Sequence, residues 1–349
     1  MSDVPRERRL VVDANAASRS WALTPEGERR LLDATPDGWS VHVVRALTSS
    51  DGDGPPRPSD EVMQAIVDAE VYFGFGIPQV LFREATSLRW VHSAATGVSS
   101  ALHEDMVASD VLFTNSAGIH AIPIAEYVVA TVLFFLRGLD IVVEQQRGGR
   151  WDKQPFVGDA SPLREMDTVH ALIVGVGGIG GAVGSRLSAL GAHCTGVRRR
   201  VGLGPPPGFD RVIALDDVDA ALGDHDVIVI AAPLTGSTRG LLTADRLDRL
   251  PARAIVVNVA RGALLDEAAL AERIAAGRLR GAALDVFHHE PLAATSPLWQ
   301  LRQVVVSPHI SPVSPGRFWP RQLDLFLENW RRYIQGGPMI NVVDKQAGY

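Results

Sequence analysis

Cysteine is almost absent: Cys194 stands alone among 349 residues, so no intrachain disulfide can form. It falls in a run that reads as a core strand, which fits a reducing compartment and a cytoplasmic protein. There is no basic excess either, because 34 Lys and Arg face 40 Asp and Glu for a net charge of −6. No global field therefore draws nucleic acid or an acidic membrane to the chain. The longest apolar run, Tyr127–Leu136, has about half the length that a membrane helix needs. Met1–Arg9 carries charges with no secretory apolar core or cleavage site behind it. No repeat is present, and Gly204–Gly208 is only a stiff proline loop. No carboxylate or cysteine cluster accompanies His288 and His289, so the pair resembles a metal site only on paper. What remains is a chain long enough for two domains with cores of their own.

The chain is organised around residues 169–200. Val169–Val174 reads as a buried strand and runs straight into Gly175-Val176-Gly177-Gly178-Ile179-Gly180, with a small-residue helix to Leu190. Gly175 permits the tight turn, Gly177 lets a pyrophosphate approach the backbone, and Gly180 lets helix and strand lie close. Free N–H groups at the start of that helix suit phosphates. A strand before and a helix after are the context that makes such a glycine turn a dinucleotide cradle. The next strand, His193–Val197, ends where NAD sites usually carry an acidic residue for the ribose hydroxyls. Here that carboxylate is missing, and Arg198, Arg199 and Arg200 follow instead. Guanidinium groups suit a 2′-phosphate through charge-assisted, bidentate bonds. The expectation is NADP(H) in preference to NAD(H), with NAD(H) still possible.

The rest of the chain alternates. Leu10–Val12, Val41–Val44, Val71–Phe75, Arg89–Ser93 and Val111–Asn115 read as strands. Between the second and third come a loop at 51–58 and a helix at 59–69 with Ser59 as N-cap. A long helix is expected from Pro123 to about Arg147. Asp226–Ala231, Ala254–Val259, Gly281–Val286 and Gln303–Ser307 are unbroken apolar runs, as in strands covered on both faces. A last helix, Phe318–Ile334, is free to return to the first domain. The pattern predicts an α/β protein with parallel sheets.

In open sheets of this kind ligands bind outside the carboxyl ends of the strands. Those ends carry Val259-Ala260-Arg261-Gly262, then Asp285-Val286-Phe287-His288-His289-Glu290-Pro291, then Pro308-His309-Ile310-Ser311. One arginine, one glutamate and one histidine thus reach the edge that holds the glycine turn.

These segments resemble the D-isomer-specific 2-hydroxyacid dehydrogenase family. Asn258–Gly262, Asp285–Pro291 and Ser307–Ile310 look like its three signature segments. Asn115, Ala125-Glu126, Pro233-Leu234-Thr235 and Ser296-Pro297-Leu298-Trp299 extend the likeness over roughly residues 70–345. The glyoxylate/hydroxypyruvate reductase branch, which shares the arginine-rich turn and the Leu-Trp segment, is the most similar. The resemblance implies two doubly wound domains. A Rossmann NAD(P)-binding domain at 118–311 would be inserted into a flavodoxin-like substrate domain of 1–117 plus 312–349. It implies His309 as the acid and base of a hydride-transfer reaction. Glu290 would orient its ring and stabilise the charged form, while Arg261 would hold the substrate carboxylate and polarise the carbonyl. Thr96 and Gly97 match a backbone loop for the same carboxylate. Pro233, Val259, Ala260, Asp285 and Ser311 would join the glycine turn around the cofactor, with Asp285 near the nicotinamide carboxamide.

The substrate class implied is small 2-ketoacids, reduced to D-2-hydroxyacids. The helix at 123–147, with Val128, Val129, Val132, Leu133 and Phe135, has more apolar surface than one face needs, and a homodimer is expected. Trp151 and Trp319 stay open between packing and a substrate contact. A dinucleotide-sensing, corepressor-like binding protein is the alternative from another class.

Overall fold

The computed structural model describes residues 7–18, 20–47, 57–98 and 100–348. The expected loop at 51–58, but for its last two residues, and most of Met1–Arg9 lie outside them. Two compact units emerge, one from the described residues up to Ile119 and from Ser314 onward, the other from His120–Val313.

The first unit holds a parallel sheet of β1 (Arg8–Asp13), β2 (Trp39–Val43), β3 (Val71–Gly74), β4 (Trp90–Ser93) and β5 (Leu112–Asn115), in the order β2-β1-β3-β4-β5. This is the flavodoxin-like winding. Ser59 caps its helix as expected, accepting from the Val62 N–H at 3.3 Å. The second sheet contains β6 (His170–Val174), β7 (His193–Val197), β8 (Arg211–Ile213), β9 (Val227–Ile230), β10 (Ile255–Asn258), β11 (Gly281–Leu284) and β12 (Val304–Val306). Its order, β12-β11-β10-β9-β6-β7-β8, reverses direction between β6 and β9, as in a Rossmann sheet.

Central strands bury both faces, which explains their unbroken apolar runs. Leu172 and Val174 join one core layer of the second unit, while Ala171 and Ile173 join the other. For β12 that expectation fails. Its three valines are only half-buried because the strand lies at the sheet edge. The opposite edge strand, β8, is three residues long and was not evident in the sequence.

The single long helix also fails. It is two: α1 (Ala121–Leu136) and a second helix, Leu139–Arg147. Gly138 adopts φ 64°, a left-handed conformation that glycine takes without penalty, and ends α1 there. Arg280 locks the break, donating to the Phe135 carbonyl at 2.9 Å and pairing with buried Asp140 at 2.6 Å. Val128, Val132 and Phe135 are buried in the core of their own unit, with Val129 and Leu133 packed partly against it. The apolar excess therefore sits elsewhere, on Ile122, Leu139, Val142 and Val157.

The last helix, α2 (Phe318–Gln335), belongs to the first unit. Phe326 stacks on Phe73 at 4.2 Å between ring centres, and Trp330 meets Trp39 edge-on at 4.6 Å. Trp319 is buried in this aromatic layer, so it is a packing residue. Beside it His92 is fully buried, touching Thr114 at 2.8 Å and Gln322 at 3.1 Å. Burial pushes its imidazole down to about 3.

Candidate active site

Strand pairing aligns the carboxyl ends of the second sheet. Ile213, Val197, Val174, Ile230, Asn258, Leu284 and Val306 lie opposite one another in register. The next residue of each strand is therefore Ala214, Arg198, Gly175, Ala231, Val259, Asp285 and Ser307. From the glycine turn after β6 to the histidine loop after β12 there are four strand spacings, roughly 19 Å at about 4.8 Å each.

The glycine turn behaves as its spacing demands. Gly175 has φ 97°, and a side chain there would meet the Ala231 and Ala232 backbone at 2.7 Å. A Cβ on Gly180 would overlap the Gly175 carbonyl oxygen. At Gly177, by contrast, an added Cβ meets nothing within 4 Å, so this face is open. Gly177 is also the N-cap of the helix Gly178–Ala189, with no side chain capping it. The N–H groups of Gly178, Ile179 and Gly180 begin that helix, where a phosphate finds partial positive charge.

Arg198 lies half-buried directly after β7. It donates to the Gly204 carbonyl, while its buried Nε has no hydrogen-bond partner. Such an orphaned donor beside the glycine turn fits an anionic ligand group. Arg199 and Arg200 are exposed next to it. Pro233 is exposed after β9, where Thr238 bonds its carbonyl at 2.7 Å. A dinucleotide fits this edge.

The loop after β10 is clamped by Asn258, which is fully buried. Its side chain accepts from the Ala260 N–H at 3.1 Å and donates to the Arg261 carbonyl at 2.9 Å. Val259 turns inward, and Arg261 stands exposed with its guanidinium on the Ala260 carbonyl at 2.7 Å. Gly262 lies so close to Phe287 and His288 that a Cβ would overlap their backbone. The arginine loop and the glutamate loop therefore abut.

Glu290 and His309 meet. His309 Nδ1 is 3.0 Å from Glu290 Oε2, while Glu290 Oε1 accepts from the Phe287 N–H at 2.9 Å. Glu267 holds the same loop from below, accepting from the His288 N–H at 2.5 Å. Burial raises the Glu267 carboxyl, with Glu290 adding to the effect. His288 and His289 face solvent. Among the described residues no group of three His, Cys, Asp or Glu side chains is placed to hold a metal.

Asp285 is fully buried and faces the histidine loop. Oδ1 accepts from Ser307 Oγ at 2.5 Å and from the Ile310 N–H at 2.9 Å, and Oδ2 accepts from the Ser311 N–H at 2.8 Å. Tyr127, on α1, lies 2.7 Å from Ser307 Oγ. The loop needs this support because His309 has φ 54°, a left-handed conformation costing roughly 1–2 kcal/mol for a side-chain-bearing residue. Each hydrogen bond to a buried charge is worth about 1.5–3 kcal/mol, so the Asp285 contacts outweigh the strain.

In the first unit, Thr96 and Gly97 follow β4 and are half-buried. Thr96 Oγ1 donates to the Ser116 carbonyl at 3.2 Å, and Asn115 Nδ2 donates to the Thr96 carbonyl at 2.8 Å. Trp151 is 96% exposed, so packing within its own unit does not account for it. The positions that reading the sequence missed are Tyr127, Ser307, Glu267 and the clamp by Asn258. Asn258 and Ser307 stood inside recognised segments with no role of their own. Glu267 carried the signal of an acid opening a helix, and Tyr127 carried none.

A Rossmann sheet with this glycine turn and a carboxylate–histidine pair at the same edge is that of an NAD(P)-dependent dehydrogenase. Residues 129–311 match the family model described as D-isomer specific 2-hydroxyacid dehydrogenase, NAD binding domain. Glyoxylate/hydroxypyruvate reductase A of Salmonella newport (strain SL254) is 30% identical over 280 residues, covering 78% of this chain and 85% of the relative. D-3-phosphoglycerate dehydrogenase of Archaeoglobus fulgidus is 31% identical over 252 residues, 71% of this chain but only 44% of that longer protein. A D-isomer specific 2-hydroxyacid dehydrogenase from Xanthobacter autotrophicus Py2, solved in complex with NADPH and MES, superposes with a TM-score of 0.77. It is 28% identical, over 98% of this chain and all of that one. The chain belongs to the D-isomer specific 2-hydroxyacid dehydrogenase family.

Proposed function

We propose that the protein is a cytoplasmic, NADP(H)-preferring reductase of small 2-ketoacids of the glyoxylate/hydroxypyruvate kind, giving D-2-hydroxyacids. The observation that carries this reading is the His309–Glu290 pair, 3.0 Å apart on the sheet edge that also bears the glycine turn and Arg198. When bound, the nicotinamide supplies the hydride. His309 gives its Nε2 proton to the carbonyl oxygen and takes one back in the reverse direction, while Glu290 on Nδ1 fixes the ring and balances its charge. Arg261 pairs with the substrate carboxylate and draws electron density from the carbonyl. Thr96 and Gly97 are the second carboxylate-binding element in this reading.

Gly175, Gly177, Gly178, Ile179 and Gly180 cradle the pyrophosphate, and Arg198, with Arg199 and Arg200 beside it, takes the 2′-phosphate. Pro233, Val259, Ala260, Asp285 and Ser311 complete the cofactor lining. The reductase named from Salmonella and the NADPH complex from Xanthobacter support the substrate class and the cofactor preference. Exposed Ile122, Leu139, Val142, Trp151 and Val157 support a homodimer, since apolar surface of this extent calls for a partner. Light scattering that gives a monomer refutes the dimer.

The deciding experiment follows nicotinamide absorbance with NADPH or NADH and glyoxylate, hydroxypyruvate, pyruvate or a branched 2-ketoacid in turn. Faster NADPH oxidation supports the whole reading. Faster NADH oxidation removes the role of Arg198 and leaves the reductase. Cofactor binding without turnover of any ketoacid favours the corepressor-like alternative.

A further inference from the structure

The donor order of the buried chain from Tyr127 to the histidine loop follows from its chemistry. Both Asp285 oxygens accept backbone N–H groups, so the Ser307 hydroxyl donates to Oδ1. With its hydrogen spent there, Ser307 Oγ accepts from Tyr127. Burial pushes the Tyr127 phenol up to about 12, which keeps it protonated and a donor. Each link thus has one direction: phenol to hydroxyl, hydroxyl to carboxylate, carboxylate to the N–H groups of Ile310 and Ser311. The His309 N–H bonds the Asp285 carbonyl at 2.9 Å, so the same residue also ties down the histidine's own backbone.

We propose that Tyr127 and Ser307 are positioning residues for His309, acting through Asp285 to hold its left-handed turn with the ring against Glu290. The proposal rests on the reading of His309 as the acid and base. The links run in order: Tyr127 fixes Ser307, Ser307 fixes one carboxylate oxygen, and that carboxylate fixes the two residues after His309. Glu290 from the loop after β11 and Asp285 are charged groups that face the turn. Glu267 and the side chains of His288 and His289 border the glutamate. Tyr127 lies on α1, far from these in sequence, so the helix sets the acid by a route that contact with substrate or cofactor does not require.

The test compares the full-length wild type with Tyr127→Phe, Ser307→Ala and Ser307→Thr. The first readout needs no turnover: the His309 ring titration is followed by NMR, its signal assigned by loss in His309→Asn. Loosening the turn weakens the Glu290 contact, so the midpoint falls in Ser307→Ala by about half a pH unit, roughly a threefold loss in proton affinity. A smaller fall is expected in Tyr127→Phe, and Ser307→Thr, which keeps the hydroxyl, restores the wild-type midpoint. The second readout is steady-state kinetics. Here kcat falls about tenfold in Ser307→Ala with NADPH affinity and ketoacid KM within about twofold of wild type, and the pH profile moves with the NMR midpoint.

An unmoved titration in Ser307→Ala overturns the proposal whatever the kinetics. A loss confined to NADPH affinity also overturns it, by making the chain a cofactor support. A moved titration in a protein that reduces no ketoacid upholds the positioning role and refutes the reductase reading.

Discussion

The two sheets share one winding rule and differ at the crevice it creates. In each, the strand order reverses once, between β1 and β3 in the first and between β6 and β9 in the second. A crevice at such a reversal is where open α/β sheets take ligands. In the second sheet it is lined by glycine, and the added volume of a Cβ at Gly177 meets no atom. In the first sheet the corresponding strand ends are filled from within. Tyr72 is buried there, its hydroxyl bonds Asp13 at 2.9 Å, and a Cβ on Gly74 would come within 2.5 Å of that hydroxyl. Topology offers a place, and side-chain volume decides whether a ligand can use it.

Their histidines repeat the contrast. His92 is sealed in an aromatic layer and held neutral, whereas His309 is half-buried beside a carboxylate on a strained turn. One is locked into structure, and the other is the histidine to which the proposed function gives the proton transfer.

Substitutions can break this comparison at several strengths. His309→Asn carries the largest effect, a kcat loss of about 10²–10⁴-fold with NADPH affinity retained, measured by steady-state kinetics and cofactor titration. An unchanged kcat removes the histidine from the chemistry. Arg198→Ala comes next, weakening NADPH about 10–100-fold, the value of one charge-assisted contact, and leaving NADH alone. Equal losses for both cofactors place the arginine elsewhere than at the 2′-phosphate.

The two glycines form a matched pair. Gly177→Ala leaves thermal stability near wild type and weakens cofactor binding about tenfold, the methyl standing where the pyrophosphate approaches. Gly74→Ala leaves cofactor binding alone and costs about 1–3 kcal/mol in urea unfolding, because the methyl strikes packed atoms. If both lower stability equally, the crevices do not differ as described.

The mildest effect is acid sensitivity from His92. The unfolded imidazole takes a proton below about 6.5, while the folded one waits until about 3. Between those values the unfolded chain holds more protons, so stability falls as pH falls, by at most about 1.4 kcal/mol per pH unit. His92→Gln flattens that slope between pH 6 and 4, and an unchanged slope assigns it to other groups.

The parts of the molecule that were legible in the sequence are those where one residue type has one use. Gly175 and Gly180 sit where only glycine fits, Ser59 caps a helix, and the apolar runs of β9, β10 and β11 mark strands buried on both faces. What escaped depends on neighbours distant in the chain. Gly138 reads as a tolerated helix glycine until Arg280, far downstream, is seen to claim the Phe135 carbonyl. Edge strand β8 is too short to show a period, and β12 has the composition of a central strand at an edge. Tyr127 and Ser307 gain meaning only when α1 is laid beside the loop after β12. Trp319, two residues from positions that face outward, belongs to a core that composition cannot assign.

The first unit is assembled from the two ends of the chain, and this fixes an order of birth. Its sheet leaves the ribosome first, yet Phe326 and Trp330, which cover Phe73, Trp90 and Trp39, come from the last tenth of the polypeptide. The segment His120–Val313 has every strand of its sheet in hand before those aromatics exist. During synthesis the insert can therefore close before its host. Until α2 arrives, the early strands wait with an aromatic face uncovered, and the nascent chain is most exposed to mispairing at its oldest part.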